Sequence, residues 1–322
     1  MKPIWKEICT AAFMGLILPG ILLHTAVRRN TDEPDAPVLP EKNQETIAPV
    51  AAEKLTMCLQ LPDGTVTEMD MDEYLTGVVL AEMPASFETE ALKAQSVVAR
   101  TYTLRASQAG VKHMDADVCT DHTCCQAYIA PETYSGGEEN LEKVRSAVLA
   151  TSGQVLTYNG ELIEATYFSC SGGSTEDAVA VWGTDYPYLR ATESPGEENA
   201  AHYTDTVTFS AEEFSQKLGQ SLSGDPASWF GFTTYTAGGG VNSIRIGGRD
   251  YKGTEVRTLL GLRSTAFSIR AAGDSVTITT KGYGHRVGLS QYGADAMALD
   301  GKTYTQILAH YYQGTVLTNF DN

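Results

Sequence analysis

The proline at position 84 decides how the most regular stretch of this chain can fold. Residues 74–102 read YLTGVVLAEMPASFETEALKAQSVVARTY, two helical patterns with Pro84 between them. Asp70 followed by Glu73 has the D-x-x-E form of a capping box and predicts a helix start there. Leu75, Val78 and Val79 fall at i, i+3 and i+4, the core-facing stripe of an amphipathic helix, and the next position on that stripe is Glu82. Pro84 disfavours helical geometry at Met83, so the first helix has to end near Glu82. The pattern thus places a carboxyl on an apolar face at a helix C-terminus. Partial desolvation and the negative end of the helix dipole both disfavour the charged form there. A carboxyl that stays protonated near neutral pH is what a general acid needs. On spacing alone, the commoner case is a frayed and solvated helix end.

Past the second helix comes the densest group of soft ligands, HMDADVCTDHTCCQAY, with His113, Cys119, His122, Cys124 and Cys125 close together. Four Cys/His ligands satisfy tetrahedral zinc, and a set with no open position is structural rather than catalytic. The spacing is not that of the common C-x2-C finger. Disulfides such as Cys58 with Cys119 are the rival, weakened because the adjacent Cys124 and Cys125 do not readily bridge each other. Six cysteines are too few for a disulfide-built scaffold in 322 residues.

Residues 8–27 carry no Asp, Glu, Lys or Arg and are just long enough to span a bilayer as a helix. They predict an N-terminal membrane anchor over 1–29; a cleaved signal peptide is the rival, but no A-x-A site closes the segment. Residues 30–53, rich in Pro, Asp and Glu, read as a flexible linker. A net charge of −17 with no basic block argues against a nucleic-acid surface and against electrostatic docking on an anionic membrane.

The remainder, 54–322, reads as α+β. Hairpins are expected around Pro62-Asp63-Gly64 and across Asn159-Gly160, the latter joining 154–158 to 162–167, with a helix over 140–150 between them. The second hairpin leads into FSCSGGSTEDAVAVWGTDYPYLR, whose hydroxyls, glycines and aromatics (Trp182, Tyr186, Tyr188) suit a glycan groove. Cys170 in that loop has no base motif beside it and reads as a small buried residue. Residues from about 200 to 280 read as a subdomain inserted between two parts of that groove: a strand, a helix over 211–218, a Ser/Gly/Pro loop, a hairpin at Gly247-Gly248 and a short helix ending at Gly261. In GYGHRVGLSQYGADAM the third glycine is misplaced for a dinucleotide fingerprint. Its small residues instead allow a chain-like ligand to approach His285, Ser290, Gln291 and Tyr292, although a lone His in such a loop is more often structural. A helix over 303–312 closes the chain.

Four motifs, AEMP, EALKAQSVVARTY, GTEVRTLLGLRST and GHRVGLSQYGA, resemble the SpoIID (stage II sporulation protein D)/LytB family of peptidoglycan lytic transglycosylases, with the similarity running over 54–314. The resemblance implies that Glu82, the glutamate of the AEMP-like motif, is the catalytic acid. It implies cleavage of the β-1,4 bond from N-acetylmuramic acid to N-acetylglucosamine, with an anhydro sugar as product. The Ser-Gly-Gly region then lines the cleft, which makes Ser169, Ser171, Gly172 and Gly173 substrate-binding candidates. Lys93 and Arg100, seven apart on the second helix, are placed to hold a muramic carboxylate or to brace Glu82. Some clostridial members bind zinc with His, Cys and an adjacent His-Cys pair; here Cys124 stands where that His would fall, so the set is His113, Cys119 and Cys125 with either Cys124 or His122. The family context implies a single-pass membrane protein whose catalytic domain faces the septal space of a sporulating cell. It also implies glycan strands as substrate, and a SpoIIP-like amidase and other engulfment membrane proteins as partners. Three other readings stand beside it. An inverting hydrolase would need a second carboxylate, with Glu88, Glu90, Glu176 and Asp177 available. A non-catalytic glycan-binding or amidase-activating module would tolerate loss of Glu82. A zinc hydrolase would need an open metal position, which a Cys-rich set argues against.

Overall fold

Asp70 opens the first helix, α1 (Met71–Glu82), by accepting from the backbone N–H groups of Asp72 and Glu73, an N-cap worth about 1 kcal/mol. At the other end Met83 adopts φ −124°, ψ 142°, the extended geometry that a residue before proline requires. After the break, α2 (Thr89–Ala109) runs to a left-handed Gly110, and α3 (Glu138–Leu149) packs against both helices. Tyr74, Leu75, Val78 and Val79 of α1 are buried as their spacing requires, against Leu92, Val97 and Val98 of α2 and Val144 and Val148 of α3. The computed structural model describes residues 55–110, 112–201 and 203–320. The anchor expected over 8–27 and the linker over 30–53 lie outside the described residues, among which no helix is long and apolar enough to cross a membrane.

Several small sheets surround the helices, giving a mixed α+β architecture. Strand β1 (Thr56–Gln60) pairs antiparallel with β2 (Val66–Asp70) around the Pro62-Asp63-Gly64 turn and parallel with β3 (Val118–Cys119). The second pairing brings the cysteine-rich segment back beside α2. Strand β4 (Gln154–Tyr158) turns through Asn159 and Gly160, both at positive φ, into β5 (Glu161–Leu162), as an Asn-Gly hairpin requires. The hairpin is shorter than its alternation predicts. Its chain leaves the ladder after Leu162, and β6 (Tyr167–Phe168) pairs instead, in parallel, with the distant strand Leu289–Ser290. Gly288 permits this approach: it sits at φ 83°, and a Cβ there would collide with the Thr166 carbonyl oxygen. The small residues of that motif therefore make room for the protein's own backbone, where the sequence suggested room for a ligand.

Residues 204–281 build a second hydrophobic cluster, from Phe214, Trp229, Ile246, Tyr251, Val256 and Ile278 among others. The helix Ala211–Leu218 and the hairpin Val241–Ile246/Arg249–Lys252 lie where their patterns place them. Phe230–Tyr235 is a strand inside what reads as loop, and the helix Gln291–Leu299 has no counterpart in the sequence reading.

Arg286 joins this region to the rest. It is buried, at φ 65°, and its guanidinium donates to the carbonyls of Ser171, Ser174 and Gly238 and to Oε1 of the buried Glu176 at 3.1 Å. Desolvation pushes its pKa down from the usual arginine value, and the Glu176 and Glu197 carboxylates oppose that shift. Removing one partner of such a pair leaves a buried charge without its counter-ion. Arg286→Met is expected to cost about 3–5 kcal/mol of unfolding free energy, read from urea titration; a loss under about 1 kcal/mol would show that the pair carries little of this junction.

Candidate active-site cleft and metal cluster

The proline break leaves Glu82 on the last turn of α1, half-buried, between two halves of one groove. On one side is a hollow of about 310 Å³ walled by Tyr102, Gln126, Phe168 and His285. On the other is one of about 360 Å³ bounded by Pro84, Phe87, Gln291 and Tyr292. Glu82, Tyr167, Phe168, Ser169 and Tyr283 border both. The Glu82 Oε1 accepts from the backbone N–H of Ala127 at 2.9 Å. That amide is within reach because Gly77 lets residues 128 and 129 lie directly on α1. A Cβ at Gly77 would overlap the Tyr128 ring, and the Ile129 N–H donates to the Gly77 carbonyl at 3.2 Å.

A buried polar relay backs the carboxyl. Gln126 donates through Nε2 to Tyr74 Oη (3.1 Å) and Thr103 Oγ1 (2.9 Å), and its Oε1 accepts from the Tyr167 hydroxyl at 3.2 Å. Desolvation, then the neighbouring Glu82 carboxylate, push the Tyr167 phenol well above its ordinary value, so it stays a proton donor. His285 forms the opposite wall, its ring 5.6 Å from Phe168 and 5.2 Å from Trp182. Burial and then the charge of Arg257 push it down to about 4, and its Nδ1 accepts from the Val287 N–H. His285 is thus a neutral, weakly basic wall residue, in keeping with the structural role of a lone loop histidine.

Next to the relay, His113, Cys119, Cys124 and Cys125 bring one ligand atom each to within 4.8 Å of one another. The His113 Nε2 lies 3.3 Å from Cys125 Sγ and 3.7 Å from Cys124 Sγ, and the two sulfurs are 3.8 Å apart. Tetrahedral zinc bonds of about 2.3 Å to sulfur and about 2.0 Å to nitrogen set ligand separations of roughly 3.5–3.8 Å. The donor set therefore fits a metal ion such as zinc, with Cys124 in the fourth place. His122 is exposed and faces the Glu82 hollow. The described cysteines form no disulfide, so the rival Cys58–Cys119 pairing is not present.

The profile of the SpoIID family, described as stage II sporulation protein, matches residues 63–158, which include Glu82 and the whole metal cluster. Stage II sporulation protein D of Bacillus subtilis (strain 168) is 41% identical over 264 residues, covering 80% of this chain and 77% of its own length. The chain belongs to the SpoIID family. The protein of the same name from Bacillus amyloliquefaciens is likewise 41% identical, over 77% of its length. The amidase enhancer of Bacillus subtilis (strain 168) is 32% identical across 76% of this chain but only 40% of its own length.

Within this SpoIID-family chain the groove gathers Glu82, Ser169, His285, Gln291 and Tyr292 from the residues singled out in the sequence. Others lie elsewhere. Arg100 is wholly buried, paired with Asp72 at 2.8 Å and donating to the Thr151 and Gln154 carbonyls, so it has no free face for a substrate. Lys93 pairs with Glu90 at 2.6 Å and lies over the Tyr304 ring, away from the groove lining. Ser171 and Gly172 donate backbone N–H groups to the buried Glu197 carboxylate, which also takes the Ser171 hydroxyl, and the Gly173 N–H caps Ser171 Oγ. The Ser-Gly-Gly loop is thus wrapped around an internal acid and does not line the groove. Ser290 caps the helix Gln291–Leu299 through the Gly293 N–H. Cys170 is buried against Glu197, and its thiol is pushed up to about 12 by burial and by that carboxylate, which leaves it inert. Tyr167, Tyr283, Gln126 and Ala127 were not singled out in the sequence. For the last two, their position directly after Cys125 was the available signal.

Proposed function

We propose that this chain is a peptidoglycan lytic transglycosylase that cleaves the β-1,4 bond from N-acetylmuramic acid to N-acetylglucosamine. The observation that carries the reading is that, among the described residues lining the two halves of the groove, Glu82 is the sole carboxylate. A hydrolase needs a second one to activate water, and the candidates are engaged elsewhere. Glu90 binds Lys93 and the Tyr304 N–H, Glu176 binds Arg286, and Asp177 takes the Ala191 N–H, while Glu88 is exposed outside the lining. One carboxyl suffices when the nucleophile belongs to the substrate. Glu82 protonates the leaving glycosidic oxygen, then takes the proton of the muramoyl C6 hydroxyl as that oxygen closes onto C1 and forms the anhydro ring. The Ala127 N–H holds the carboxyl between these two roles, and the groove on either side accommodates sugars of both leaving and retained strands. His113, Cys119, Cys124 and Cys125 would hold zinc in a closed, structural site that pins the Gln126–Ala127 segment under Glu82.

The relatives' names support a sporulation setting, and we place the protein at the septum of a sporulating cell, anchored through residues 8–27 with its catalytic domain outside the cytoplasm. Residues 204–281 are read as a subdomain inserted between the two parts of the groove. A partner amidase of the SpoIIP kind would strip stem peptides first. Purified full-length protein is then expected to release fragments from peptide-free strands much faster than from intact sacculi; equal rates would leave a general wall-remodelling enzyme. The amidase-enhancer relative raises a second reading, a glycan-binding module without catalysis. That reading keeps the groove but has no use for a carboxyl backed by a buried relay.

A further inference from the structure

On α2 beside Tyr102 lies a third hollow, of about 400 Å³. One wall is a face of α2, where Tyr102, Arg105, Ala106 and Ala109 fall at i, i+3, i+4 and i+7; Lys112 and Glu164 complete it. Tyr102 borders both this hollow and the one beside Glu82, so the two adjoin at its side chain. In a chain of net charge −17, two cations here face one acid.

Both cations are fixed by the protein and retain unused donors. Arg105 donates through Nε to Glu164 at 3.0 Å and through Nη1 to the Leu162 carbonyl at 2.7 Å, and its Nη2 has no partner among the described residues. Lys112 Nζ donates to Tyr102 Oη at 3.0 Å and to the Cys124 carbonyl, which leaves one ammonium proton. A pre-oriented guanidinium beside an ammonium is suited to a carboxylate, through charge-assisted bonds that a neutral group does not make. Resting on the transglycosylase reading of the groove, we propose that this hollow is an anion subsite for the free lactyl carboxylate of an N-acetylmuramoyl residue. On a peptide-bearing strand that group is an amide, neutral and extended by the peptide. Arg105 and Lys112 are the specificity-determining residues that distinguish the free carboxylate from the amide, a role that Lys93 and Arg100 are not placed to fill.

The test measures binding to full-length protein carrying Glu82→Gln, which blocks turnover. Three glycan strands of equal length are compared: peptide-free, peptide-free with the carboxyls reduced to alcohols, and peptide-bearing. At low salt the peptide-free strand is expected to bind about tenfold or more tighter than its reduced form, with the gap narrowing as salt rises. Adding Arg105→Gln and Lys112→Gln together should close the gap, and Lys112→Arg alone should keep it. Equal binding of the first two strands, or a gap that survives the double substitution, overturns the subsite. Tightest binding of the peptide-bearing strand assigns the cations to a stem-peptide carboxylate and overturns the lactyl assignment. Failure of the transglycosylase reading shows separately, as cleavage retained by Glu82→Gln, whatever the ranking of the three strands.

Discussion

Glu82→Gln is expected to abolish glycan cleavage and leave the fold intact. The amide has the shape of the carboxyl, and its oxygen can still accept from the Ala127 N–H, so the bond that positions residue 82 survives. What disappears is the transferable proton. General acid–base contributions run to about 100–10,000-fold, and in the proposed mechanism one group serves both half-reactions, so the loss belongs at the upper end. Activity within about tenfold of the unsubstituted protein would remove Glu82 from the chemistry. Unchanged thermal unfolding in the same preparation excludes a folding defect as the cause.

Stripping the metal is expected to have the next largest effect. The protein should retain one zinc per chain, and a strong chelator should lower its unfolding temperature by more than about 5 °C, equivalent to roughly 2 kcal/mol for a domain of this size. Cleavage should fall with it, because Gln126 and Ala127 follow Cys125 directly. Cys124→Ser should release the metal, whereas His122→Ala, which alters an exposed residue facing the groove, should retain it. Retention should also weaken as pH falls. Burial pushes the Cys125 thiol up to about 12, so metal binding must displace a proton, and affinity rises with pH. Zinc content near zero in reduced, zinc-supplied preparations, with unchanged unfolding, would return the four residues to the role of free thiols.

The parts of this protein that were legible in the sequence are those governed by local rules. Asp70 and Pro84 bracket α1, and the helical period between them puts Glu82 at its end; Asn159-Gly160 dictates its turn within two residues. The ligand set was legible because cysteine and histidine have few other reasons to crowd together, although the place of Cys124 over His122 needed coordinates. The rest depends on partners distant in the chain. Arg100 shares a helix face with Lys93, but nothing local reveals that Asp72 and two carbonyls enclose its guanidinium. The Ser-Gly-Gly loop has the composition of a sugar site, yet its amides are taken by Glu197, whose approach no pattern announces. Tyr167 joins the groove only because β6 leaves its hairpin to pair with Leu289–Ser290.

Whether the substrate supplies its own nucleophile is the point on which the mechanism turns, and the mass of the products formed in heavy-oxygen water measures it most directly. Peptide-free strands digested by the full-length protein should yield anhydromuramoyl ends, each one water lighter than a hydrolytic end and free of solvent oxygen. Reducing muramoyl ends carrying one heavy oxygen would contradict intramolecular closure and require a water-activating base in addition to Glu82.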